Sequence, residues 1–83
     1  MVRRDPDGSM VVEGGMPLHE FASTFGVQAE SKDVVTVSGY VIERLGQMPR
    51  PGTMVELGAW KGTVGAVEAG RILTIRLRRA ESD

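Results

Sequence analysis

Apolar positions change their period along this chain, and each change marks an element. "DPDG" at 5–8 is turn chemistry, and "SMVVEG" at 9–14 reads as a short strand stopped by Gly14-Gly15. Leu18, Phe21, Ala22 and Phe25 then recur at i, i+3, i+4, i+7, which places them on one face of a first helix. Pro17 suits the first helical position, where a missing N–H costs nothing, and Glu20 faces the positive end of the helix dipole. Gly26 can close the helix in the left-handed conformation, with Val27 folding back onto the apolar face.

"QAESKD" at 28–33 is a solvated connector. In "VVTVSGYVIERLG" the β-branched start speaks for a strand, but the spacing of Val37, Tyr40, Val41 and Leu45 speaks for a helix. Thr36 as N-cap and Gly46 with Pro49 as a stop favour a second helix over 36–45. Gly39 inside it costs about 1 kcal/mol relative to Ala, which suggests close approach to a neighbour. Pro49 and Pro51 each bar helical continuation, and each pushes its predecessor, Met48 or Arg50, to extended geometry. With Gly52 they predict a stiff corner from helix to sheet.

From Thr53 the period is two. "TMVEL" reads as a strand, Gly58-Ala59 as a turn, "WKGTVGAV" as a strand, and Glu68-Ala69-Gly70 as another turn. "RILTIRLRR" closes the set, with Leu73, Ile75 and Leu77 on one face and Thr74, Arg76 and Arg78 on the other. The predicted order is β-α-α-β-β-β, an α+β fold with an antiparallel sheet and two helices packed on one face. Leu18, Phe21, Phe25, Val37, Val41 and Leu45 would roof that sheet. Residues 1–6 read as a linker or the remnant of a longer chain, 7–79 as the domain and 80–83 as a polar tail.

Composition narrows the function. With 83 residues there is room for one modest core and little for a deep catalytic cleft. A net charge of −1 draws in neither nucleic acid nor an anionic membrane. The chain has no cysteine, so thiolate zinc sites, disulfides and thiol nucleophiles are all excluded. No stretch approaches the ~18 apolar residues of a membrane span.

Candidate chemistry is sparse. His19 is the only histidine, and neither a Cys, a second His nor an Asp lies one turn from it; it reads as a solvated residue of the first helical turn. The serines lack a nucleophile-elbow context, and the carboxylates are scattered. No GK[ST] follows the glycines, so no phosphate-binding loop is read there. The sequence predicts no enzyme, no catalytic residue and no metal site.

Two features stand out. Arg71, Arg76, Arg78 and Arg79 crowd the last strand without an acid among them. They read as a charged outer face guarding an edge, or as a docking surface for an anionic ligand or acidic partner. Trp60 follows a turn; it either packs in the core or, exposed beside Met54 or Arg50, anchors an interface. Arg50, Trp60, Arg71, Arg76 and Arg78 are therefore the candidate interaction residues.

In "DGSMVVEGGMPLHEF", "GYVIERLGQMPRPGTMVELG" and "RILTIRLRR" the chain resembles the CorC/HlyC transporter-associated domain over about residues 7–79. The resemblance implies an α+β fold related to a subdomain of FAD-binding proteins. It also implies a C-terminal module that follows a membrane-spanning domain and a pair of CBS domains. Proteins of that type resemble magnesium and cobalt efflux proteins or hemolysin-like proteins, with this module at the cytoplasmic face modulating ion transport. The family pattern carries no agreed catalytic residue. This chain departs from it at Gly62, where a bulky apolar residue is usual, with Gly65 soon after, and at Glu68-Ala69-Gly70, where an Asp-Gly turn is usual. A bent third strand, with Trp60 filling the space, is expected there.

Three functions follow as expectations. The first is a non-catalytic regulatory or interaction module that packs on neighbouring domains or on its own copy as a homodimer. The second is a domain binding FAD or an adenine nucleotide around Gly14-Gly15 and the start of the second helix. The third is nucleic-acid binding through the basic last strand.

Overall fold

Both helices form where the apolar spacing places them. In the computed structural model, which describes residues 2–80, α1 spans Leu18–Phe25 and α2 spans Val37–Leu45. Thr36 caps α2 by accepting the Gly39 N–H on its Oγ1 at 3.2 Å. Gly26 and Gly46 close the two helices at φ +67° and +78°, the left-handed geometry glycine adopts without a Cβ penalty. Val27 does fold back: its N–H reaches the Ala22 carbonyl at 3.0 Å, and its side chain is buried. Pro17 sits one position earlier than expected, in extended geometry at the N-cap, because its carbonyl already accepts the Phe21 N–H.

The strands are β1 (Val2–Arg4), β2 (Met10–Glu13), β3 (Met54–Leu57), β4 (Trp60–Val64), β5 (Val67–Glu68), β6 (Arg71–Ile72) and β7 (Thr74–Arg79). Five of them make an antiparallel sheet in the order β1-β2-β7-β4-β3, and β5 pairs with β6 apart from it. Val12 lies opposite Ile75, and Ile75 opposite Val64, so one sheet face carries an apolar row under the helices. Leu18, Phe21, Phe25, Val37 and Val41 are buried against that row as expected, while Leu45 is only half-buried.

The linker reading and the strand runs need correction. Residues 2–4, read as part of a linker, form β1 and pair with β2. Beyond Ala80 the expected polar tail lies outside the described residues. The runs 60–67 and 71–79 are each broken, at Gly65-Ala66 and at Leu73, because the two breaks bond to one another. Gly65 N–H donates to the Thr74 carbonyl at 2.9 Å and Leu73 N–H to the Ala66 carbonyl at 2.8 Å. A side chain on Gly65 would overlap the Thr74 hydroxyl. The break flips the alternation, so Ile72 is 1% exposed while Leu73 is only half-buried. Nor does Trp60 fill the space left by Gly62; Val55, Leu57 and Ile75 close over that glycine.

The corner is a tight turn. Thr53 N–H donates to the Arg50 carbonyl at 3.0 Å, with Pro51 and Gly52 (φ +94°) between them, which is the residue order a type II turn demands. Gly52 N–H and Thr53 carbonyl both bond to Val64, at 2.7 and 2.8 Å, and Pro49 is buried. The corner is thus stitched to the end of β4.

The turn between β5 and β6 carries a local cost. Ala69 has φ +54° and Gly70 φ +78°, the double left-handed geometry of a type I′ hairpin that Asn-Gly fills best. Ala69→Asn is expected to raise stability by about 0.5–1 kcal/mol, read as a rise in thermal midpoint of a few degrees.

Candidate interaction surfaces

The arginines of β7 are not free. Arg76 Nη1 meets Asp5 Oδ2 at 2.7 Å, Ser9 Oγ at 3.0 Å and Asp7 Oδ2 at 3.6 Å. Arg78 Nη2 reaches Asp7 Oδ2 at 3.3 Å, and Arg3 Nε reaches Asp5 Oδ1 at 3.6 Å. Ser9 is fully buried and donates its hydroxyl to Asp7 Oδ1 at 2.6 Å. The "DPDGS" turn therefore neutralises the outer sheet face it adjoins, and the acids that the last strand lacks come from the β1–β2 turn.

Asp7 records this arrangement. The Ser9 hydroxyl and backbone N–H hydrogen-bond its carboxylate, and Arg78 and Arg76 add positive charge, lowering its pKa from 3.8 to about 2. A depressed carboxylate stabilises the fold fully above its unfolded value, and that contribution is lost as pH falls from about 4 through about 2. Asp7→Asn is expected to flatten the acid side of the stability-versus-pH curve in that window and leave its shape above pH 5 unchanged. Chemical denaturation at stepped pH reads the difference.

Trp60 joins sheet to helix. Its Nε1 donates to the Phe25 carbonyl at 2.9 Å, at the end of α1, and its ring meets Phe25 edge-on with centroids 5.2 Å apart. The Arg79 guanidinium lies 5.4 Å from the Trp60 ring centroid. Trp60 is half-buried and lies opposite Leu57, whereas Met54 lies opposite Thr63 at the other end of the β3–β4 pair and Arg50 precedes that end.

The candidate residues do not converge. Trp60 and Arg78 lie at the end of the sheet where β4 starts and β7 finishes, whereas Arg50 precedes β3 at the opposite end. Arg50 lines a groove of about 280 Å³ with Leu45, Met48 and Pro49. Arg71 sits at a separate cleft of about 440 Å³ with Glu13, Gly14, Gly15, Thr36 and Ser38. That cleft coincides with the place expected for a dinucleotide. Its helix donors are already engaged: Val37 N–H bonds the Met16 carbonyl at 3.0 Å, Ser38 N–H the Gly14 carbonyl at 2.9 Å, and Gly39 N–H the cap. Buried Ser38 Oγ accepts the Ile72 N–H at 2.9 Å.

Sequence reasoning missed a third surface. Val35 is 78% exposed, although Val34 beside it packs against the core. A shallow groove of about 330 Å³ runs between α1 and the connector, lined by Leu18, His19, Ala29, Glu30, Val34 and Val35. This is where His19 lies, at a groove wall. The available signal was the doublet Val34-Val35 ahead of the Thr36 cap, of which only one member can face inward. Among the described residues there is no group of three or more His, Asp or Glu placed to hold a metal, and no helix long and apolar enough to cross a membrane.

Comparison with known proteins gives a consistent picture. Residues 3–81 match the family model of the CorC_HlyC transporter associated domain. The chain is 32% identical over 75 residues to the UPF0053 inner membrane protein YoaE of Escherichia coli K12, covering 88% of this chain and 14% of that protein. A hemolysin domain from Enterococcus faecalis V583 superposes with a TM-score of 0.82 at 30% identity, over 96% of this chain and 98% of that one. The transporter associated domain CorC_HlyC from Nitrosomonas europaea superposes with a TM-score of 0.84 at 16% identity, over 95% of each chain. The curated relatives are far longer: the matched part is 13–15% of their length.

Proposed function

Because the chain belongs to the CorC/HlyC transporter associated domain family, we propose that it is a non-catalytic regulatory module of a membrane ion-transport protein. The transport protein is of the magnesium and cobalt efflux or hemolysin-like type, and the module modulates transport by packing on neighbouring domains or on a second copy. The observation that carries this reading is the family match over residues 3–81 of this chain, together with its likeness to a small part of the inner membrane protein YoaE. The module's neighbours would be the membrane-spanning domain and a CBS pair, at the cytoplasmic face. A part that transmits a state must keep its own shape, and the stitched corner and the Trp60–Phe25 pin supply that stiffness. The polar clusters also support the reading, since Ser9, Asp7 and Arg76 are spent on one another.

The test is exchange. This chain replaces the equivalent domain of a CorC-type efflux protein, and cellular retention of Mg2+ and Co2+ is compared with a version lacking the domain. Efflux that depends on the presence of the domain is the expected result. Efflux indifferent to it would retire the reading.

A second reading is supported by the 440 Å³ cleft beside Arg71: binding of FAD or an adenine nucleotide. With the first N–H groups of α2 engaged, Arg71 and the Gly15 backbone are left to hold a pyrophosphate. Calorimetric titration with FAD and ATP decides it.

A further inference from the structure

The two sides of the molecule treat their carboxylates differently. On the outer sheet face Asp5 and Asp7 are matched by Arg3, Arg76 and Arg78. In the helical segment, residues 17–47, Glu20, Glu30, Asp33 and Glu43 stand against Lys32 and Arg44, and among the described residues none of the four has a cation within ion-pair distance. One of these acids lines the Val35 groove and two adjoin residues of its wall. Glu30 lines it, Asp33 adjoins Val34, and Glu43 accepts a hydrogen bond at 3.1 Å from Ser31 on its wall. An exposed valine in a groove with Leu18, Ala29 and Val34, with unpaired carboxylates at and beside its wall, is complementary to an apolar side chain flanked by lysines or arginines.

We propose that this groove seats a basic segment adjoining a membrane span of the transport protein. The inference rests on the transport reading above and names the partner. Loops next to membrane spans on the cytoplasmic side carry an excess of Lys and Arg. Such a loop supplies the charge that the helical side lacks, and an apolar residue in it covers Val35. The outer sheet face, already neutralised by its own arginines, offers no comparable charge match.

Photocrosslinking in the exchanged efflux protein tests this in native membranes. p-Benzoylphenylalanine is placed at Val35, whose exposure makes the replacement harmless to the fold, and at Met54 as an exposed control. The expected product joins position 35 to a Lys- or Arg-bearing stretch within about 20 residues of a span. Its yield should fall about tenfold with Glu30→Lys and Asp33→Lys together, and should also fall as salt is raised. Crosslinks from position 35 to the CBS pair, to a second copy or to lipid alone would overturn the proposal, as would no crosslink or a product equally abundant from position 54. Efflux measured in the same cells separates the two readings: domain-dependent efflux without the expected product defeats this inference alone.

Discussion

Gly14→Ala is expected to cost about 3 kcal/mol or more and to lower the thermal midpoint by about 15 °C. A Cβ on Gly14 would run into the carbonyl oxygen of Ile72 and come within 2.9 Å of its carbon, so the obstacle is backbone and no rotamer relieves it. Neither side can retreat cheaply. Gly14 N–H is bonded to the Leu73 carbonyl at 2.8 Å, and the Gly14 carbonyl accepts Ser38 N–H at 2.9 Å. Ile72 N–H is itself held by Ser38 Oγ. One residue thus ties β2, β6 and α2 together, and moving it loosens all three. Gly15→Ala is the control, because a Cβ there meets nothing within 4 Å. Its effect should stay within about 0.5 kcal/mol. Urea unfolding of the two variants side by side measures the contrast, and similar losses would mean that the close approach of Gly14 to Ile72 is not what holds the junction.

Phe21→Ala should remove about 3–5 kcal/mol, enough to leave a small domain largely unfolded at 37 °C. Phe21 is 0% exposed on the inner face of α1 and packs, tilted, on Phe25 with ring centroids 5.0 Å apart, and Phe25 in turn meets Trp60. Truncation leaves a cavity that β-branched members of the same core, such as Val12, Val37 and Val41, cannot fill, since their χ1 freedom is small. Phe21→Leu keeps most of the volume and should cost far less, about 1 kcal/mol. Loss of the near-ultraviolet signal of Trp60 together with global unfolding would show that the aromatic chain is one unit. A Phe21→Ala protein that melts within a few degrees of the parent would show that the helices contribute little to the core.

Much of this architecture is written in local chemistry. Thr36, Gly26, Gly46 and the Pro51-Gly52 pair act within one turn of the chain, and so both helices and the corner are legible without tertiary information. What escapes is whatever depends on distant partners. Residues 2–4 become a strand only because β2 is there to pair with, and three residues cannot display a period. The arginines of β7 look unopposed until the fold brings Asp5 and Asp7 to them across about 70 positions, Arg76 to Ser9 being 67 apart and Arg78 to Asp7 being 71. The break at Leu73 is invisible because "RILTIRLRR" alternates well enough for one strand; the partner that breaks it is Gly65-Ala66. Trp60 is pinned by a carbonyl 35 residues upstream. The surfaces suffer most from this blindness. The residue types suited to an interface were recognisable, but which of them the fold spends internally was not. Val35, the most exposed large apolar residue described, lies in a β-branched stretch that speaks for a strand ahead of the Thr36 cap, and nothing local says that it faces solvent.

Efflux by an exchanged CorC-type protein carrying Gly14→Ala or Gly15→Ala in this domain tests the central claim most directly. If the folded shape of the module modulates transport, Gly14→Ala should reproduce the Mg2+ and Co2+ retention seen when the domain is removed, and Gly15→Ala should match the parent. Parental efflux from the Gly14→Ala protein, with the domain shown to be unfolded in the same membranes, would contradict it.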